Sequence, residues 1–360
     1  MTSDLPSAVA FHHHAPGPVQ QCLVNGQKTW MAALLHNHQL LCLSFEEPDH
    51  IRTFDLAEHT ITTLAADADG LGFLAGTRQG DVFLLEPAEN TQQKVLTVEG
   101  EISHIAASPT SERTAVAVHH DVVVFDDTWK ECARFHACCG ITGLAFNPKG
   151  LRLAVAEGHG LSLWWSKGEA AQKGQPIPWH GHPHALQWSP DGKMVLAATR
   201  EGTVFGWRLA DDKPMQMQGY SAPIISWGFS ADQQLLITSG AAQAVCWPFF
   251  GGGPWGKNPL LLGPERDDAL VSAVAPHPRD AMTAIGYDDG MIVFAPFDDT
   301  RMAIQVHPAL AGEQDSVMGM GWSADGTSLL AALASGHMLG FTFDSVQAAV
   351  RARVDRPKAG

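Results

Sequence analysis

Hydrophobic and polar positions along this chain fall into short apolar runs, each closed by a cluster of Gly, Pro, Asp or Asn. One stretch shows the grammar clearly. His184–Trp188 is a strand-like run, Ser-Pro-Asp-Gly at 189–192 is a turn, and Met194–Thr199 is a second run. Arg-Glu-Gly at 200–202 turns again, and Thr203–Leu209 is a third run. Proline presets φ and glycine accepts positive φ, so these clusters predict turns between strands. Asn-Pro-Lys-Gly at 147–150, Asp-Ala-Asp-Gly at 67–70 and Ser-Ala-Asp-Gly at 323–326 fill the first kind of turn. Thr-Arg-Gln-Gly at 77–80 and Tyr-Asp-Asp-Gly at 287–290 fill the second. Five residues after the second turn an apolar position recurs: Leu43, Leu85, Phe125, Trp165, Trp207, Trp247, Ala295 and Phe341, in steps of 40 to 48 residues. A period of that length is the mark of a repeat architecture.

A more polar fourth strand is expected after each third strand, at Ile51–Leu56, Gln92–Val98, Cys132–His136 and Met215–Met217. Polarity suits an outer edge that must resist edge-to-edge pairing, whereas inner strands packed on both faces read as continuous apolar runs. Four-stranded sheets arranged radially make a β-propeller. The expected fold is therefore all-β, a single closed propeller over 1–360. Eight blades are favoured and seven are the alternative, with Val19–Phe45 as the weakest unit. Residues 1–16 are read as leader and closing strand, and 345–360 as a C-terminal tail. Ser7–His13 is expected to complete the last blade, with Val346–Val354 as the competing candidate, because closure from the opposite terminus ties the ring and removes an edge.

The units resemble WD repeats from about Val19 to Phe343. The most specific piece is Gly181-His182 with Trp207 ending the third strand. In such repeats the His, the Trp, a turn Asp and a Ser or Thr form a structural hydrogen-bond network, and the resemblance implies that role for His182. The chain departs from the pattern: it contains no Trp-Asp dipeptide, and Glu201 stands where the turn Asp is expected. The match is to degenerate repeats. Gly150–Ala156 with Leu161–Trp165, and Thr238-Ser-Gly with Cys246–Phe250, resemble a bacterial WD-repeat family. The recurring apolar position is expected to lock adjacent sheets, most strongly at Trp165, Trp207 and Trp247.

Composition narrows the function classes. The chain is 45% hydrophobic with 38 acidic against 23 basic residues, a formal charge of −15. That balance opposes phosphate-backbone binding, which needs clustered Lys and Arg. Neither nucleic acid nor membrane is expected as a partner. No apolar stretch is long enough to span a bilayer, and Met1–Val9 lacks the cationic and apolar parts of a secretory signal. Six scattered cysteines suit thiols in a reducing compartment, so a cytoplasmic monomer is expected.

Candidate chemistry is weak. Gly251–Lys257 matches G-x-x-x-x-G-K, but Asn258 stands where the metal-binding hydroxyl belongs, and Pro254-Trp255 with strand-like Pro259–Leu262 denies the strand-to-helix context. It reads as an insertion between third and fourth strands, with Trp255 as an exposed contact residue. His12–His14, His36/His38, His119-His120 and His180/His182/His184 cluster locally, yet short His tracts are poor evidence of a metal. His136-x-Cys138-Cys139 is ligand-like, but neighbouring strand residues point to opposite faces, which predicts buried thiols instead. No nucleophile elbow or zinc-helix motif occurs, and acid pairs such as Asp267-Asp268 and Asp298-Asp299 fall at turns. No cofactor, metal or catalytic residue is assigned.

In a WD-like propeller, the loops entering each first strand share a rim with the turns between second and third strands. His59, His104, Arg78, His119, His120, His159, Arg200, Tyr220, Tyr287, Asp288 and His337 map there. Tyrosine and arginine are enriched at binding hot spots. The expected contact surface is Arg78, His119, Arg200, Tyr220, Tyr287 and Asp288, on a non-enzymatic scaffold for a protein or peptide partner. The alternatives are a metal-binding propeller using the His-rich rim, and a hydrolase or lyase at the channel mouth.

Overall fold

The structure, a computed structural model, describes residues 8–158, 160–165, 172–173, 177–178, 181–300, 302–309 and 315–354. Eight antiparallel sheets follow one another around the ring, with strands termed a to d from the centre outward; seven are sequential meanders, and the eighth takes its outer strand from the start of the chain. The turn grammar is realised in hydrogen bonds. Asn25, Asp67, Ser108, Asn147, Ser189, Ser230, His277 and Ser323 each open an a–b turn and accept an amide of that turn through the side chain. A side-chain acceptor two to five residues upstream of a free amide is what makes Asx and Ser turns self-closing.

Blade 1 comprises Val19–Val24, Trp30–Leu35, Gln39–Ser44 and Ile51–Asp55. Blade 2 runs through Ile61–Ala66, Phe73–Thr77, Asp81–Glu86 and Thr91–Thr97, and blade 3 through Ile102–Ser108, Arg113–Val118, Asp121–Phe125 and Glu131–His136. In blade 4, Ile141–Phe146, Arg152–Glu157 and Gly160–Trp165 are flanked by two short outer pieces, Gln172–Lys173 and Ile177–Pro178. Blade 5 is Pro183–Trp188, Met194–Thr199, Val204–Arg208 and Lys213–Met217. Blade 6 has the shortest inner strand, Trp227–Phe229, followed by Leu235–Thr238, Ala244–Pro248 and Leu260–Leu262. Blade 7 is Val271–Pro276, Met282–Tyr287, Ile292–Pro296 and Ile304–His307.

Blade 8 takes Val317–Trp322, Ser328–Leu333 and His337–Thr342 from the C-terminal end of the ring and Val9–His14 from the start of the chain. Val9–His14 pairs antiparallel with His337–Thr342, placing His14 opposite His337. Residues 346–354, the competing candidate for that place, belong to a helix, Phe343–Val354. Ser7 lies outside the described residues. The helix is tied to the closing strand by a 2.6 Å bond from Ser345 Oγ to the Ala8 carbonyl.

Two devices join the blades. In seven of them strand a carries a bulge at its second residue. A bulge re-aims one side chain, and Thr62, His184 and Ser272 use it to reach a carbonyl of the next blade. The second device is an indole at the end of strand a: Trp188 and Trp322 donate to the Ala145 and Ala275 carbonyls of the preceding blade at 2.9 and 2.8 Å. Of the expected trio, Trp207 packs half-buried into the core shared by blades 4 and 5 and Trp247 into that shared by blades 5 and 6, whereas Trp165 does not lock a seam. Trp165 is 42% exposed and lies under Arg152 at 4.3 Å, while its neighbour Trp164 is buried and stacks on Phe135. Trp207 and Trp247 are half-buried, whereas the smaller side chains of the series, Leu43, Leu85, Ala295 and Phe341, are fully packed.

Candidate functional site

The rim formed by b–c turns and d–a loops divides into two arcs. On blades 6 and 7 its conspicuous side chains are spent inside the fold. Tyr287 was expected in a turn but is the last residue of strand b; it is fully buried, with its hydroxyl donating to the Pro264 carbonyl at 3.1 Å. Tyr220 is half-buried between Thr238 and Trp247, and burial pushes its hydroxyl up to about 12. Asp288 accepts the Leu270 amide at 3.0 Å, closing the d–a loop. All three side chains serve internal hydrogen bonds, and Tyr287 is wholly buried, so the open arc is the better candidate surface.

Among the described residues of blades 2 to 5 the rim is open. Arg78 projects into solvent with its Nε 3.5 Å from Glu101. His119 and His120 are exposed, and His119 holds a left-handed φ of 54°. Its ring lies directly on Gly100, whose φ is 118°; a Cβ there would sit 2.1 Å from the imidazole. His136 approaches Asp121 at 2.8 Å, and this hydrogen bond, with support from Arg134, holds the Asp121 carboxyl below its usual range. Arg200 and His182 are exposed on blade 5, and His182 Nδ1 lies 2.5 Å from Glu201, which also accepts the His182 amide. Hydrogen bonds from His182 depress Glu201 to about 2. The network foreseen for blade 5 is thus half-built, because the Trp207 indole points instead to Asp212 at 3.5 Å.

Between blades 2 and 3 this arc opens into a cleft of about 580 Å³ walled by Leu96, Val98, His119, His120, Arg134 and His136. Other expected rim residues are placed differently. His104 sits within inner strand a, where burial lowers its pKa, and His59 is half-buried against Phe83. His337 pairs with His12 across the closing seam at 2.8 Å. His159 and His180 lie outside the described residues.

The Gly-rich insertion is turned inward. Lys257 Nζ bonds the Phe250 and Gly253 carbonyls of its own loop, so no cradle faces out for phosphate. Trp255 is half-buried, donates to the Pro214 carbonyl and packs beneath Arg208, which withdraws it from the exposed position expected. At the centre, a cavity of about 420 Å³ among blades 1, 6, 7 and 8 is lined by Met31, Ile225, Trp227 and Met320. Among its lining residues two ionise, Lys28 and Cys22; burial lowers the first and pushes the second up to about 12.

Sequence reasoning missed the feature beside the open arc. Cys138 and Cys139 follow the outer strand of blade 3 instead of lying within it, so the alternation that separates neighbouring side chains does not apply. Their sulfurs are 3.6 Å apart, and Cys138 Sγ is 2.8 Å from Glu157 Oε2. That carboxylate pushes the Cys138 thiol up to about 11.

An eight-bladed ring of antiparallel sheets defines the fold, a β-propeller, and its turns are similar to those of WD repeats. The sequence model of the family "WD domain, G-beta repeat" matches residues 175–208. The C-terminal WD40 domain of Sif2 superposes with a TM-score of 0.67 at 13% identity, over 93% of this chain and 99% of that one. The mouse intraflagellar transport protein 80 homolog is 21% identical over 211 residues, 56% of this chain and 24% of that protein. The LST8 homolog of Dictyostelium discoideum is 37% identical over 67 residues, 17% of this chain and 22% of that protein. The chain therefore spans about a quarter of the length of the curated relatives it matches. These relatives are eukaryotic and lend the bacterial resemblance no support. No helix among the described residues is long and apolar enough to cross a membrane.

Proposed function

We propose that the protein is a non-enzymatic scaffold that docks a protein or peptide partner on the open arc of blades 2 to 5. The carrying observation is the asymmetry of the rim. Arg78, His119 and Arg200 are exposed on that arc, with Arg78 beside Glu101 and His119 lining the cleft between blades 2 and 3, while Tyr220, Tyr287 and Asp288 on blades 6 and 7 are engaged in internal hydrogen bonds. A rigid ring keeps such groups in fixed relation, so a partner orders few of them on binding and loses little entropy. Arginine offers a planar fork for carboxylates, and imidazole can donate or accept. The fold shared with Sif2's WD40 domain supports a platform; an activity has to come from a site. The lining of the central cavity, two ionisable groups among apolar ones, favours the same reading over hydrolase chemistry. Six free cysteines accord with a monomer working in a reducing cytoplasm.

The test is capture of partners from the host by the full chain, compared with Arg78→Ala/His119→Ala/Arg200→Ala. All three positions are exposed, so the change in stability should stay within about 0.5 kcal/mol per site. Loss of the captured protein with unchanged melting is expected. Undiminished capture would dismiss this arc.

A further inference from the structure

The end of strand b is a structurally equivalent, buried position in every blade. It holds Leu35, Thr77, Val118, Thr199, Thr238, Tyr287 and Leu333, all neutral, and in blade 4 it holds Glu157. Glu157 is 3% exposed. A buried carboxylate is costly unless it is paired or coordinates a metal. The surrounding groups converge on it. Ser162 Oγ donates to Oε1, and the Cys138 amide donates to Oε2 at 3.0 Å. Cys138 Sγ lies 2.8 Å from Oε2, and Cys139 Sγ is held by the Gly158 amide at 3.1 Å. The two sulfurs and a carboxylate oxygen all fall within 4.8 Å of one another.

We propose that Cys138, Cys139 and Glu157 form a zinc site on the rim between blades 3 and 4. Two thiolates bound to one tetrahedral zinc at about 2.3 Å lie roughly 3.8 Å apart, and the sulfurs here are separated by 3.6 Å. Two thiolates with one carboxylate form the borderline-soft donor set that suits zinc over calcium or magnesium. Ser162 holds the second carboxylate oxygen and the Gly158 amide supports a sulfur, which is the outer support that orients metal ligands. On binding, both S–H bonds break, two protons leave to solvent and two S–Zn bonds form, with Glu157 as the third ligand. With three ligands among the described residues, a fourth donor from the chain, water or a docked partner would complete the tetrahedron. The site stands whether or not the arc binds a protein.

Cobalt(II) titration of the full chain, reduced and stripped with a chelator, tests this. Thiolate ligation gives a sulfur-to-cobalt charge-transfer band that the exposed histidine clusters cannot produce. One equivalent of cobalt should saturate the band, and one equivalent of zinc should abolish it. Cys139→Ser, at a half-exposed loop position, should weaken binding by about tenfold or more with unchanged melting, and Cys138→Ser/Cys139→Ser should remove the band. Glu157→Gln should weaken binding, its oxygen accepting from the Cys138 amide and its NH2 donating to Ser162 Oγ; if that variant does not fold, the cysteine variants decide. Absence of the band in the wild type, or its survival in the double variant, would overturn the proposal.

Discussion

Trp247 donates its indole N–H to the Tyr220 hydroxyl at 2.7 Å, and that hydroxyl shares a second 2.7 Å hydrogen bond with Thr238 Oγ1. The chain Trp–Tyr–Thr links the loop entering blade 6 to its second and third strands. It is the kind of network expected of a WD repeat around His182, built one blade later with tyrosine in the histidine's place.

Tyr220→Phe keeps the ring and deletes both bonds, leaving a part-buried indole donor unpaired. The expected cost is about 1–3 kcal/mol, read as a lower denaturation midpoint with an unchanged slope. Partner capture should survive at temperatures where the variant is folded. A contact role for Tyr220 would give the opposite pattern, lost capture with full stability.

The inter-blade tryptophans supply a second comparison. Trp188→Phe removes a buried donor that reaches across to the Ala145 carbonyl, and Trp322→Phe does the same at Ala275. Each should lose about 1–3 kcal/mol, because a buried carbonyl is left unmatched and a cavity opens. Trp165→Phe, on an exposed ring, should change stability by less than about 0.5 kcal/mol. Equal melting losses at Trp165 and Trp188 would contradict this placement of the locks.

How far the fold could be read from the chain is visible in these residues. Turn chemistry is local, so Pro-Asp-Gly and its relatives marked the strands of blade 5 to within a residue, and the 40- to 48-residue step counted the blades. The rim was harder. A strand has period two, and a one-residue error in its end moves a side chain from solvent to core. Tyr287, read as the first turn residue, closes strand b and is buried. Conversely, Cys138 and Cys139 were assigned to a strand that stops at His136, which hid their convergence on Glu157. Turn signals say that a chain reverses; they do not say which residue is the last to face inward.

Asp67 predicts a pH effect of definite sign. Burial, with the nearby Asp69 carboxylate, pushes its carboxyl up to about 7 from an ordinary 3.8. The folded state then binds the proton more tightly than the unfolded chain. Stability from this group is present below about pH 4 and falls as pH rises toward 7. Asp67→Asn retains an oxygen for the Gly72 amide, which Asp67 Oδ2 accepts at 2.9 Å. The variant should match the wild type near pH 4 and exceed it by roughly 1–3 kcal/mol at pH 8. Chemical denaturation across that range checks it; a difference that does not grow with pH would contradict the shift.

The two termini meet at blade 8, and deleting each in turn compares their contributions. Removing residues 1–14 takes away the outer strand paired along His337–Thr342 and the buried Ala8, and it leaves the third strand of blade 8 as an open edge. Removing residues 346–360 deletes the helix after Ser345, including the buried Val346 and Ala349, but keeps Phe343 stacked on Trp322 and the bond from Ser345 to Ala8. The first deletion forfeits a full ladder of backbone hydrogen bonds and exposes their partners, whereas the second exposes apolar area alone. The N-terminal truncation should therefore show the larger fall in melting temperature and the greater tendency to associate through the uncovered strand. Differential scanning calorimetry with light scattering on both truncations decides the matter, and a larger fall for the C-terminal truncation would place closure in the helix instead.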